Sequence, residues 1–117
     1  MTSDDFESKA RQAAAEWAFI QSVETVDKTD HALKLRLHVD GECFVQVYAN
    51  VQKSVYSYTL VLNRARIYGR DSEGGDWHRH PYGSPDSHDH TPEGRKAVTL
   101  MQFLAEIQQI LQAEGLL

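Results

Sequence analysis

Histidines are concentrated in one short segment of the chain. Four of the six histidines lie in the segment DWHRHPYGSPDSHDH, residues 76–90, as two His-x-His pairs: His78 with His80, and His88 with His90. Neutral imidazole is the commonest protein ligand for zinc and related ions. In an extended chain residues i and i+2 share a side, so each pair presents both rings together. The spacing therefore predicts a zinc or other divalent-metal site, with an oxygen ligand from Asp76, Asp86 or Asp89.

The same histidines suit acid–base catalysis without a metal. A histidine near its ordinary pKa of about 6.5 gives or takes a proton at neutral pH. Cleavage of a phosphodiester needs one group to take a hydroxyl proton, one to protonate the leaving oxygen, and a cation on the phosphate. His78, His80 and Arg79 have this chemistry, with His88 as a further candidate. Because Arg79 alternates with the histidines and points away from them, Arg66 or Arg70 would bind the phosphate instead.

A third interpretation is a solvated loop with no chemical role. Against it, Trp77 is a large aromatic residue that would anchor the segment to the rest of the fold. Asp71, just before the segment, would either orient a histidine through its ring N–H or cap a turn. The hydroxyl of Tyr58 would either lie under a helix or reach the rim of a pocket.

The elements that position these residues follow from hydrophobic periodicity. A helix capped by Ser3 is predicted from six apolar residues at helical spacing: Phe6, Ala10, Ala13, Ala14, Trp17 and Ile20. Strict alternation in HALKLRLHV, CFVQVYA and SVYSYTLVLN predicts strands with one buried face, and ARIYGRD and SVETVD extend the set. Asp40-Gly41 predicts a tight hairpin turn with positive φ, and Asn63-Arg64 predicts a second turn.

The prediction is one α+β domain over residues 1–117. It has an antiparallel meander of four or five strands between an N-terminal and a C-terminal helix. A long His-rich loop, rich in Gly, Pro, Ser and Asp, precedes the last helix. Thr99 and Gln102 form a capping box there, and Gly115 ends that helix.

Composition predicts a cytoplasmic protein. No apolar run approaches the length of a membrane helix, the first residues are acidic and polar, and the lone Cys43 is expected to pack as a small hydrophobe. The formal net charge of −5 argues mildly against broad nucleic-acid binding. The edge strands of a small open sheet invite pairing, so a homodimer is expected.

Residues 56–90 resemble the signature of the TumE-type toxins of type II toxin–antitoxin pairs. That family has a Tyr-x-Tyr strand, matched by Tyr56 and Tyr58, and a strand ending near Asp-Asn, matched by IYGRD up to Asp71. A segment rich in His and Pro follows, matched by GDWHRHP and SPDSH, and TLMQFLAEI resembles the closing helix. Ser72 departs from the family's Asn, and His90 has no counterpart.

The resemblance implies a small toxin made beside a helix-turn-helix antitoxin. The leading hypothesis is a metal-independent ribonuclease that acts on RNA. In it His78 and His80 are the acid–base pair, Asp71 orients them, and phosphate is bound by Arg66, Arg70 or Arg79, with Tyr58 at the substrate. The alternative is a binding module without catalytic activity, whose loop binds a protein partner or a metal ion through His78, His80, His88 and His90.

Overall fold

The computed structural model describes residues 1–117 and has one helix at each end of a six-stranded sheet. Each strand pairs antiparallel with the next strand in the chain, so the strand order is β1-β2-β3-β4-β5-β6. The predicted α+β meander between two helices is confirmed. The elements are α1 (Ser3–Ala15), β1 (Ser22–Lys28), β2 (Ala32–His38), β3 (Cys43–Asn50), β4 (Val55–Leu62), β5 (Ala65–Asp71), a 3-10 turn (Glu73–Gly75), β6 (His78–His80) and α2 (Leu100–Ala113).

The sheet has six strands, whereas the sequence predicted four or five. The additional strand, β6, lies inside the segment predicted as a loop, and it pairs with β5 through Asp71↔His78, Arg70↔Arg79 and Gly69↔His80. Three residues are too few to generate a periodic pattern, and the partner that makes them a strand lies outside the segment. The histidine segment is therefore part of the sheet edge.

The cap of the first helix and the first hairpin turn differ from the prediction. The cap of α1 is Thr2, whose hydroxyl accepts from the backbone N–H of Asp5 at 3.2 Å, while Ser3 is the first helical residue. Gly41 does not adopt positive φ, because the connection spans residues 39–42. The left-handed pair is Asn63 and Arg64, with φ of 51° and 69°, which joins β4 to β5 as a two-residue turn.

The C-terminal helix begins and ends as the sequence predicted. Thr99 and Gln102 form the capping box at its start, with both reciprocal hydrogen bonds present. Gly115 follows its end with φ of 71°, a left-handed conformation that costs glycine little. α1 is shorter than its apolar spacing indicated: it ends at Ala15, and Trp17 and Ile20 pack on the core from beyond the helix.

The two faces of the sheet have different surroundings. One face, here called the covered face, packs against α1 and α2 and holds the core, in which Leu35, Val47 and Leu60 are fully buried. Cys43 lies there as the predicted small hydrophobe, and burial raises its pKa to about 11. The other face, the open face, carries no helix. No helix in the structure is long and apolar enough to cross a membrane.

Candidate metal centre

The strand pair β5–β6 separates its side chains by alternation. Gly74 and Gly75, with φ of 82° and 99°, allow the sharp reversal that brings β6 back onto β5. Covered-face residues of β4 lie opposite Tyr68 and Arg70, so Asp71 falls on the open face. His78 pairs with Asp71 in the register of β5 and β6, so His78 and His80 lie on the open face with Asp71. Arg79, between them in the chain, pairs with Arg70 and lies on the covered face.

The second histidine pair returns to the first through one backbone bridge. Arg79 and Asp89 are bridge partners: the N–H of Asp89 donates to the carbonyl of Arg79 at 2.8 Å, and the return bond measures 3.4 Å. His88 and His90 therefore flank Asp89 on the open face. The ring centroids of His80 and His88 are 4.8 Å apart. The ring centroid of His90 lies 5.7 Å from that of His78 and 6.0 Å from that of His88.

Three of the four imidazoles converge closely. One ring nitrogen from each of His78, His80 and His88 lies within 4.8 Å of the other two, while His90 lies beside this group without joining it. His80 is buried at 4% exposure, His78 is half-buried and His88 is exposed. The cluster therefore has a closed side against the sheet and an open side toward solvent.

Asp71 lies between the first two rings. Its Oδ1 is 2.9 Å from Nε2 of His78, and its Oδ2 is 2.9 Å from Nε2 of His80. Oδ1 also accepts a hydrogen bond from the backbone N–H of Glu73 at 3.1 Å. The carboxylate is buried at 8% exposure and is held in one orientation by these contacts.

The other ring nitrogens face backbone carbonyls. Nδ1 of His78 is 3.2 Å from the carbonyl of Asp76, and Nδ1 of His80 is 3.0 Å from the carbonyl of Pro85. Carbonyl and carboxylate oxygens both only accept, so each ring faces an acceptor at both of its nitrogens. A neutral ring satisfies one of the two acceptors, and with its hydrogen on Nδ1 it presents the lone pair of Nε2 to Asp71, where a cation or a second proton would complete the contact. Metal-ligating histidines are commonly fixed by this kind of N–H to carbonyl contact.

His88 differs from the other two rings. Neither of its ring nitrogens makes a hydrogen bond within the chain. Desolvation, followed by the charges of His80 and His78, lowers its pKa, with only a smaller opposing effect from Asp71. A lowered pKa favours the neutral ring, which has a free lone pair to offer a ligand at neutral pH.

The donor atoms lie close enough together to be drawn onto one divalent ion. Zinc binds imidazole nitrogen and carboxylate oxygen at about 2.0 to 2.2 Å in a tetrahedral arrangement, so two ligands on one ion lie about 3.3 to 3.6 Å apart. The two contacts of 2.9 Å between Asp71 and the rings of His78 and His80 have the length of hydrogen bonds, so the carboxylate and the rings would move apart by a few tenths of an ångström to admit the ion. Imidazole with a carboxylate suits zinc and its neighbours in the first transition row.

The three aspartates predicted as oxygen ligands lie away from the cluster. Asp89 points to the covered face and binds Arg79 through contacts of 2.9 and 2.5 Å. Hydrogen bonds from Thr91, then from Arg79, lower the pKa of Asp89 to about 2. Asp86 is fully exposed beside Arg66, and Asp76 contributes only its backbone carbonyl. The carboxylate at the cluster is Asp71, which the sequence suggested only as an orienting group.

The residues predicted to bind phosphate or substrate are not at the cluster. Arg70 is completely buried on the covered face, where it binds both carboxylate oxygens of Glu106 and the carbonyl of Glu93. Burial opposes the charge of Arg70, but these partners outweigh it and raise its pKa. Tyr58 is buried on the same face, where burial raises its pKa.

The two remaining cationic candidates are also engaged elsewhere. Arg66 is exposed in β5, 3.4 Å from Asp86. Arg79 faces the helices, and although burial opposes its charge, the contact with Asp89 raises its pKa. Trp77 anchors the segment as expected, with its ring 6.1 Å from that of Tyr58.

No protein-family model, curated protein or solved structure matches the chain.

Proposed function

We propose that the protein binds a divalent transition-metal ion of the zinc class through His78, His80 and His88, with Asp71 as the oxygen ligand. The observation that carries this proposal is the convergence of three imidazoles on one carboxylate, with Nδ1 of two rings held by backbone carbonyls. A buried carboxylate and Nε2 atoms that face it are electrostatically incomplete until a cation or protons join them.

The proposed site is of the open kind. Its three ring donors include the exposed His88, and no helix covers that face of the sheet. Closed structural zinc sites are usually completed by four protein side chains, commonly with cysteine, whereas catalytic sites leave a position for water or substrate. The only cysteine of this chain, Cys43, lies buried on the covered face. Metal-assisted hydrolysis is the chemistry that such a site supports.

The direct test is metal analysis of protein purified without a histidine tag, followed by titration of the metal-free protein. We expect close to one equivalent of bound metal and saturable binding of Zn²⁺, with Co²⁺ giving the visible absorption of a nitrogen-rich site. At a concentration one hundred times the Kd, Zn²⁺ should stabilise the fold by about 2.7 kcal/mol.

His88→Ala is the informative variant, because this ring makes no hydrogen bond and its loss should spare the fold. It should weaken Zn²⁺ binding by about 100-fold or more, and His80→Ala should weaken it further. His38→Ala is the matched control, because this ring also has a carboxylate partner, Glu24 at 2.8 Å. His38 lies in β2, opposite β1 and near the other edge of the sheet from the cluster. Equal Zn²⁺ affinity in all four proteins would disprove the assignment.

The second candidate function is a toxin-like ribonuclease of a toxin–antitoxin pair, with a helix-turn-helix antitoxin as its partner. The observation in its favour is the environment of His80, whose two ring nitrogens face Asp71 and the carbonyl of Pro85. Two acceptors suit a protonated ring that serves as a general acid, and the exposed His88 would be its partner. The absence of an unpaired arginine beside the rings makes this the weaker candidate.

Incubation with total RNA separates the two candidates. Cleavage that survives chelator and disappears in His80→Ala supports acid–base catalysis. Cleavage that chelator removes and Zn²⁺ restores supports a metal-dependent hydrolase. Absence of cleavage in a protein that binds Zn²⁺ leaves the proposed metal site as a binding function and argues against the ribonuclease.

Two other proposals have separate tests. Light scattering tests the proposed homodimer. An adjacent gene for a helix-turn-helix protein would support the toxin assignment.

A further inference from the structure

An apolar cavity lies on the covered face, on the other side of the sheet from the histidine cluster. It has a volume of about 560 Å³ and opens between α1, β4 and the start of α2. Eleven of its 14 lining residues are hydrophobic, a majority that suits an apolar ligand. Its volume also falls within the range of about 300 to 1,000 Å³ that small-molecule sites occupy.

Aromatic rings form one wall of this cavity. Phe6 from α1 stacks on Tyr56 from β4 with ring centroids 5.7 Å apart. Tyr58 and Trp77 continue the wall at 6.1 Å from each other. Met101, at the start of α2, lies among the residues that complete the lining. Flat aromatic faces and a thioether make a surface that packs well against either an aryl ring or an alkyl chain.

The polar groups of the cavity are few, and one of them, the hydroxyl of Tyr58, lacks a partner within the chain. Tyr58 is buried at 3% exposure, and its hydroxyl makes no hydrogen bond within the chain. The only fully enclosed side-chain nitrogen or oxygen without a partner is Nε of Arg36 on the open face, so the Tyr58 hydroxyl keeps access to the cavity. A hydroxyl that reaches the cavity and has no partner in the chain is free to donate a hydrogen bond to a ligand there.

A cation without a direct ion pair lies at the cavity. Lys9, one turn from Ala13 along the cavity side of α1, has no carboxylate oxygen within 4.0 Å, whereas Lys28 is bound by Glu7 at 2.9 Å. Asp5, one turn earlier in α1, is the carboxylate that the charge of Lys9 reaches: hydrogen bonds from Thr2, and to a smaller extent Lys9, lower the pKa of Asp5. A long ammonium side chain beside an apolar cavity complements a ligand with one negative charge at its end. A cation and a hydroxyl donor at the same apolar cavity complement an anionic head group on an apolar ligand.

We propose that this cavity binds an apolar small molecule that carries one carboxylate, with the carboxylate at Lys9 and a hydrogen bond from Tyr58. The site is independent of the proposed metal centre, because its lining includes neither Asp71 nor any histidine of residues 76–90. Binding should therefore be the same in the presence of chelator and in His80→Ala.

The test uses decanoate and naphthoate as probes, titrated calorimetrically and by intrinsic tryptophan fluorescence, to which Trp77 in the cavity wall contributes. Each acid should bind saturably. At least one acid should bind about tenfold more tightly than the alcohol or the amine that carries the same alkyl chain or aryl ring. A preference for one of the two acids assigns the body as alkyl or aryl. No saturable binding of either acid by the folded protein would overturn the proposal.

Two variants test the polar contacts. Lys9→Gln should weaken binding of the acid by up to about fivefold and leave the alcohol unchanged. Tyr58→Phe should weaken the acid by about two- to tenfold while keeping the aromatic packing. Lys34→Gln is the matched control, since this lysine lies on the open face, and it should bind like the original protein. Unchanged affinity for the acid in both Lys9→Gln and Tyr58→Phe would overturn the proposed contacts.

Discussion

The covered face and the open face of the β5–β6 edge differ in how their charged side chains are paired, although both arise from the same alternation of side chains along the strands. On the covered face Arg70 binds Glu106, and Arg79 binds Asp89, so each cation meets a carboxylate. On the open face one carboxylate, Asp71, meets two imidazoles whose other nitrogens face backbone carbonyls. Residues next to each other in the chain therefore enter two different electrostatic environments.

The difference teaches where the molecule stabilises itself and where it can bind something else. A buried guanidinium with a bidentate carboxylate has all of its strong hydrogen bonds satisfied and contributes only to the fold. A cluster with three convergent ring nitrogens and one carboxylate has room for an additional positive charge, which protons or a bound cation can supply. This arrangement lies on the face that no helix covers.

The largest expected effect is on the covered face. Arg70→Met removes a fully buried charge and leaves Glu106 with only the hydroxyl of Tyr68 as a partner, a loss that typically costs about 3 kcal/mol or more of the free energy of unfolding. Urea denaturation measures this change. Arg66→Met is the matched control, because its exposed pair with Asp86 should contribute less than about 1 kcal/mol. Similar losses in both variants would contradict the assignment of Arg70 to the core.

The next largest effect is on the geometry of the open face. A Cβ at Gly94 would collide with the carbonyl oxygen of Asp89 and with its backbone carbon. Because backbone atoms cannot yield as a side chain does, Gly94→Ala should displace the segment that carries His88 and weaken Zn²⁺ binding by about 10- to 100-fold. Gly41→Ala is the matched control, since a Cβ there meets nothing within 4 Å. Retention of full Zn²⁺ affinity in Gly94→Ala would break the link between this close approach and the cluster.

The smallest effect is a dependence on acid pH. The folded-state pKa of Asp89, about 2, lies below its ordinary value of 3.8. This carboxylate therefore adds stability above about pH 4 and loses it as the pH falls toward 2. Asp89→Asn should show a smaller decrease in the urea midpoint over that interval than the original protein. Asp86→Asn, changed at a fully exposed side chain, should keep the original decrease, and an unchanged slope in Asp89→Asn would contradict the prediction.

The sequence alone determined the elements whose information is local. Strict alternation in the stretch from Leu33 to Val39 marks a half-buried strand, because side chains in a strand change sides at every residue. Thr99 with Gln102 marks the start of α2, because both capping partners lie within one helical turn. The sequence also identified the four histidines of residues 76–90. Within each pair the two histidines are two residues apart, and in an extended chain this spacing alone places both rings on the same side.

Tertiary structure decided which partners those residues meet. Three residues form β6 only because β5 is beside them, and the bridge from Arg79 to Asp89 selects which histidines face each other. The same contacts bring Asp71 to two of the rings, which the sequence offered as one of two alternatives. They also place Arg70 in the core, where the sequence had predicted a phosphate-binding residue. The physical reason is that hydrogen bonds, burial and ligand convergence depend on distances between segments that are far apart in the chain, whereas periodicity records only the neighbours of each residue.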